Sequence, residues 1–187
     1  MNKILILSFL LMVNPAYSQV DRYDEVLQYY NTEKNFNGAV LVATDGHIDY
    51  LNAIGISNRQ SGTTLHTRSK FKIASITKAF TAVLVLQLYE QGKIDLKTPF
   101  GKYYPAYKGE AKNNVTIEQL LTYSSGIPNG AEKFKMKSYQ VPMTIDRYID
   151  EYCSGELEAM PGTISNYSNT EYIILHKIIE IITNKSF

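Results

Sequence analysis

Two clusters of side chains in this chain have the types and spacing to break an acyl bond. The first is Ser75-Ile76-Thr77-Lys78, at the start of a strongly apolar stretch. The second is Tyr167-Ser168-Asn169, immediately before another apolar stretch. Serine is a weak nucleophile unless a neighbour removes its proton. On a helix, a lysine three residues on shares the serine's face and lies within reach of its hydroxyl. Burial and the positive end of the helix dipole both disfavour an ammonium there, so Lys78 is suited to act as general base toward Ser75. A Ser75 amide at a helix N-terminus is also aimed at developing negative charge, as an oxyanion donor must be. Tyr167, on a loop that enters a capped helix, is placed to relay a proton, and Asn169 to hydrogen-bond a substrate amide.

The letters alone are not selective. A second S-x-x-K, Ser69-Lys70-Phe71-Lys72, precedes the helix in a loop where no i,i+3 geometry brings lysine to serine. Tyr29-Tyr30-Asn31 and Tyr50-Leu51-Asn52 also match Y-x-N, the first in a predicted helix and the second on a predicted strand. In the blander alternative Tyr167 packs and Asn169 only fills the first turn of its helix. Position, not composition, favours Ser75 and Tyr167. No G-x-S-x-G elbow exists, and His47, His66 and His176 show neither a convincing serine partner nor metal-ligand spacing. No metal or cofactor is expected.

The elements that must position these groups are legible in outline. Gln19 to Lys34 reads as a helix, with Val26, Leu27 and Tyr30 at helical spacing, broken at Asn37-Gly38. Gly38 to Thr44 is an apolar run of strand length, and Asp45-Gly46 is a hairpin signal. His47 to Ile54 is the partner strand, with Ile48, Tyr50 and Asn52 on one face, and residues 55–71 read as a surface-crossing loop. Ser75 to Gln91 reads as a helix, apolar nearly all round from Ala79 to Leu88 and therefore buried, with Gly92 ending it. Thr116-Ile117-Glu118-Gln119 is a capping box, and Thr144 caps a helix carrying Ile145, Tyr148, Ile149 and Tyr152. Ser168-Asn169-Thr170-Glu171 reads as another capping box, opening a last helix that ends near Asn184.

The amino terminus reads as an address. Lys3 is followed by an apolar stretch of ten residues, Ile4 to Val13, interrupted only by Ser8, then by a break at Asn14-Pro15 and the small-residue site Ala16-Tyr17-Ser18. That run is short of the ~20 apolar residues a membrane span needs, so no stable membrane anchor is expected. Residues 1–18 are expected to be a signal peptide cleaved after Ser18, residues 19–187 one domain, and the location secreted or periplasmic. Lys3 is the one charged side chain in residues 1–18, so the formal charge of +1 becomes zero on cleavage. A neutral chain with scattered charges gives no electrostatic case for nucleic acid. Cys153 is the sole cysteine, which excludes an intrachain disulfide, and it reads as a small hydrophobe near a helix end.

Taken together the segments resemble the serine β-lactamase and penicillin-binding-protein superfamily, in the branch of class C β-lactamases, D-stereospecific peptidases and related esterases. The likeness runs through Asn37-Gly38-Ala39-Val40, Phe71-Lys72-Ile73-Ala74-Ser75, Gln91-Gly92-Lys93-Ile94-Asp95-Leu96, Leu120 to Gly126 and Pro161-Gly162-Thr163. Class A relatives carry S-x-x-K with S-D-N and K-T-G. A tyrosine in place of the first serine of S-D-N points to the class C-like branch. The resemblance implies an α+β, β-lactamase/transpeptidase-like fold, of which this chain holds the helical region and the first two antiparallel strands of an incomplete sheet. It implies Ser75 as acylated nucleophile, Lys78 as base, Tyr167 assisting both proton transfers and Asn169 contacting substrate. Substrates would be a β-lactam, a D-amino-acid peptide or an ester.

Two departures stand against this pattern. Tyr123 occupies a position where such relatives often place histidine. Their third motif, Lys or His two residues before a glycine, occurs at none of the eleven glycines. The expectation is therefore the amino-terminal portion of a secreted acyl-serine hydrolase. The alternative is a catalytically inactive truncated relative or binding module, and either would self-associate through an open sheet edge.

Overall fold

The structure, a computed structural model, describes residues 19–130 and 142–187. The expected signal peptide lies outside the described residues. The chain divides into two compact units, one ending at Lys72 and one beginning at Ile73.

In the first unit, helix α1 (Gln19–Lys34) precedes a hairpin of β1 (Gly38–Thr44) and β2 (His47–Ile54). The hairpin turns through Asp45 and Gly46 at φ 50° and 82°, the left-handed pair that a type I′ turn demands. A register shift between Val42 and Ala43 marks a bulge. Ile48 consequently stands exposed, and Tyr50 is buried. The Tyr50 hydroxyl donates to Asp24 Oδ1 at 2.5 Å, and the Asn52 amide donates to the same oxygen at 3.0 Å. These two donors hold the Asp24 carboxyl below its ordinary range. Tyr50 and Asn52, one of the alternative Y-x-N matches, therefore tie the strand to α1. Residues 55–71, expected to be irregular, contain a short antiparallel pair, β3 (Ile56–Asn58) with β4 (Thr63–Thr64). Two strands this short leave too little alternation for a pattern to register.

The second unit is built around its last helix. A 3₁₀ turn (Ala74–Ile76) leads into α2 (Thr77–Glu90), followed by α3 (Ile117–Leu121), α4 (Ile145–Tyr152) and α5 (Thr170–Thr183). Helices α2, α3 and α4 each pack on α5. The core joins Val85 and Leu88, Ile117 and Leu120, and Ile149 and Cys153 to Ile174, Leu175 and Ile178. Burying each of the larger aliphatic side chains contributes about 1.5–3 kcal/mol. Cys153 sits at the end of α4, almost wholly buried, and desolvation lifts its thiol to about 11. Thr116 and Gln119 form the reciprocal capping box, and the Thr144 hydroxyl accepts from the Arg147 amide. Gly92 (φ 68°) and Asn184 (φ 52°) adopt the left-handed backbone of helix ends.

Helix α2 departs from expectation. Its sequence is apolar on every side, yet only Thr81, Val85 and Leu88 are buried, and Phe80 is 60% exposed. Helix α5 packs on one side, and Val83 and Leu86 are exposed with Phe80.

The turn after α3 is stitched to the segment that enters α5. The Gly162 amide donates to Ser124 O, the Asn166 amide to Tyr123 O and the Glu158 amide to Gly126 O. Gly126 has φ 74°, and a Cβ there would lie 2.1 Å from Ala159 O. Gly126→Ala is expected to destabilise this seam by more than the ~1–2 kcal/mol of left-handed backbone, because the carbonyl must also move. In thermal unfolding of the 187-residue chain the melting temperature should fall by at least about 4 °C. An unchanged transition would mean that the seam is not tightly packed.

Candidate active site

Ser75 lies in the 3₁₀ turn immediately before α2, one turn earlier in type than the α-helix its spacing predicts. Lys78 is in the first turn of α2, Tyr167 is on the loop before α5, and Asn169 is the N-cap of α5. The structure brings all four together. Lys78 Nζ donates to Ser75 Oγ at 3.1 Å, to Tyr167 Oη at 2.8 Å and to Asn169 Oδ1 at 2.6 Å. Ser75 Oγ and Tyr167 Oη, ninety-two residues apart in sequence, share a hydrogen bond of 2.6 Å. Three acceptors match the three donors of an ammonium. With Oδ1 occupied, the Asn169 amide nitrogen is left to donate elsewhere. The second S-x-x-K is elsewhere engaged, since Ser69 Oγ accepts from the His66 amide in a turn.

The residue before the serine is strained. Ala74 has φ 46°, a left-handed conformation that costs a non-glycine residue about 1–2 kcal/mol. It turns the chain where the 3₁₀ segment starts, and alanine carries no sequence signal of this. The Ser75 N–H makes no hydrogen bond to another backbone group among the described residues.

Aromatic rings back the cluster. Lys78 Nζ lies 4.8 Å from the Tyr167 ring centroid and 5.9 Å from that of Tyr172. Tyr123 packs on both, at 5.1 Å from Tyr167 and 5.2 Å from Tyr172. The sequence marks Tyr123 only as a departure from the family pattern, and it carries no signal that Tyr172 backs the site. The hydrogen bond from Lys78, then that from Ser75, holds the Tyr167 phenol below its ordinary range. Tyr172 moves the other way, because burial raises it, and its hydroxyl donates to Leu121 O. Two adjacent phenols thus differ in direction.

Ser75 and Tyr167 are exposed and Lys78 is half-buried, so the burial around the lysine is partial. A cleft of about 510 Å³ opens beside Lys78 and Asn169, walled by Thr81, Tyr148, Tyr172 and Ile173. Among the described residues no group of three or more His, Cys, Asp or Glu could hold a metal ion, and no helix is long and apolar enough to cross a membrane.

The family model described as Beta-lactamase matches residues 23–187. Penicillin-binding protein 4 of Amycolatopsis lactamdurans is 32% identical over 171 residues, 89% of this chain and 43% of its own length. Teichoic acid D-alanine hydrolase of Staphylococcus aureus is 27% identical, over 93% of this chain and 40% of its own. Among solved structures, the octameric penicillin-binding protein homologue from Pyrococcus abyssi superposes with a TM-score of 0.71 at 28% identity. That match covers 90% of this chain and 40% of that one. The chain thus spans less than half the length of these relatives.

Proposed function

The chain belongs to the beta-lactamase family, and on that premise we propose that it carries the acylating half of a secreted serine hydrolase. Its fold is α+β and β-lactamase/transpeptidase-like, made of helices and small two-stranded antiparallel sheets. In this reading Ser75 Oγ attacks the acyl carbon of a β-lactam, a D-amino-acid peptide or an ester. The new Oγ–C bond replaces the bond from that carbon to its nitrogen or oxygen leaving group. The serine proton passes into the Lys78–Tyr167 pair and on to the leaving group. Water then attacks the acyl-serine, with the same pair taking its proton and returning one to Ser75, and a carboxylic acid departs. Asn169 orients the substrate amide, and the Ser75 amide faces the oxyanion.

The observation that carries this reading is the 2.6 Å contact between Ser75 Oγ and Tyr167 Oη, with Lys78 Nζ bonded to both. The names of the relatives, a penicillin-binding protein and a teichoic acid D-alanine hydrolase, support a small-molecule or peptide substrate for this chain too. Exposure to a fluorescent penicillin and to an activated ester, followed by peptide mass mapping, tests it. One acyl group on Ser75 is the expected result. A folded chain that takes up neither reagent would instead be the non-catalytic relative.

A further inference from the structure

Glu171 is the one charged side chain buried among the described residues, 2% exposed, in the first turn of α5. An acidic residue favours a helix start in water, but a carboxyl shut away from water is costly unless its bonds are specific. Its sequence position suggests a capping box with Ser168. The structure does something else. Ser168 Oγ accepts from the Thr170 amide, and α5 starts with no side-chain bond to its N-cap. Glu171 Oε1 instead accepts from Ser125 Oγ at 2.8 Å, across forty-six residues. Ser125 Oγ in turn accepts from the Ile127 amide at 3.1 Å. Beside it, Thr170 Oγ1 donates to Pro128 O and accepts from the Gly130 amide. Glu171 Oε2 has no hydrogen-bond partner among the described residues. Burial raises the carboxyl above its ordinary range, and Ser125, then Ser168 and the Glu171 backbone, oppose that rise. Asn169 is two residues from it and Tyr167 four.

We propose that Glu171 is a positioning residue, which through Ser125 locks the first turn of α5 to the Ser124–Ile127 turn and so keeps Tyr167 and Asn169 in reach of Lys78. The catalytic part of this rests on the acyl-serine reading above. A misplacement of about 1 Å at reacting groups can cost on the order of 10²-fold in rate. The test compares the full chain with Glu171→Ala, Glu171→Gln and Ser125→Ala in two measurements. One is the limiting rate and half-saturating concentration of Ser75 acylation by an activated ester. The other is the ¹³Cζ resonance of Tyr167, assigned by Tyr167→Phe, which needs no acylation.

Glu171→Ala and Ser125→Ala are expected to lower the limiting rate about ten- to a hundredfold. The half-saturating concentration should hardly move, and the Tyr167 resonance should shift toward that of a free tyrosine. Glu171→Gln keeps an acceptor oxygen for Ser125 and should restore most of both readouts. Should Glu171→Ala not fold, Ser125→Ala breaks the same bond without emptying the site. The proposal is overturned by folded variants with a wild-type rate and resonance, or by a glutamine variant no better than alanine. If wild type is never acylated at Ser75, the hydrolase reading fails, and the Tyr167 resonance still decides the role of Glu171.

Discussion

Ser75→Ala is expected to abolish covalent uptake of a penicillin or activated ester while leaving the fold intact. The side chain is exposed, so removing its hydroxyl opens no cavity and strands no buried donor. Its two polar neighbours keep each other, because Lys78 Nζ still reaches Tyr167 Oη and Asn169 Oδ1. The loss should therefore be chemical and not structural. Removing a serine nucleophile from a hydrolase typically costs on the order of 10⁶ in turnover. Intact-mass measurement of wild type and variant after equal exposure checks it, with circular dichroism as the folding control. Adduct persisting in Ser75→Ala would identify another nucleophile. Hydrolysis without any adduct would point to direct attack by water.

The second large effect is expected from dismantling the proton pair. Lys78→Met removes three hydrogen bonds at once, including those to Ser75 and Tyr167, whereas Tyr167→Phe removes only the phenol. A positioned acid–base group contributes about 10²–10⁴ in rate, and each variant should lose that much acylation. Their combined loss should be well short of the product of the two, because both act on one proton. The pH dependence separates them. If the Tyr167 phenolate takes the serine proton, acylation rises with pH along a limb set by a phenol held below its ordinary range. That limb should vanish in Tyr167→Phe. In Lys78→Met it should move upward, since the largest cause of the depression has gone. A limb unchanged in Tyr167→Phe would exclude the tyrosine as the group that titrates.

Local features of the fold were legible wherever a short motif dictates its own geometry. Asp45-Gly46 can hardly do other than turn left-handed, and Thr116 with Gln119 closes its box from four letters. The pairing of Ser75 with Lys78 was legible for the same reason, as a local spacing. Tyr167 and Asn169 needed more, because three Y-x-N matches were distinguishable only by the element each one occupies. What the sequence could not carry was set by contacts far along the chain. Ser168-to-Glu171 has the letters of a capping box, but only the serine half forms: the Ser168 hydroxyl takes the Thr170 amide, while Glu171 turns to Ser125. Ala74 takes a left-handed backbone that no alanine announces. The apolar pattern of α2 reports what the helix is able to bury. It cannot report which neighbours are there to cover it.

The ninety-two-residue separation of Ser75 and Tyr167 has a consequence for when the site comes into being. Closing a loop that long must precede any reward from the contacts it makes, so such pairings form late relative to local ones. The 3₁₀ turn and the first turn of α2 bring Ser75 and Lys78 together locally, but their third partner arrives only when α5 has docked. During refolding, reactivity toward an acylating reagent should thus return with the slowest packing step, behind the recovery of helical signal. The hydroxyl contact that makes the chemistry conceivable is also a clock for the last stage of folding.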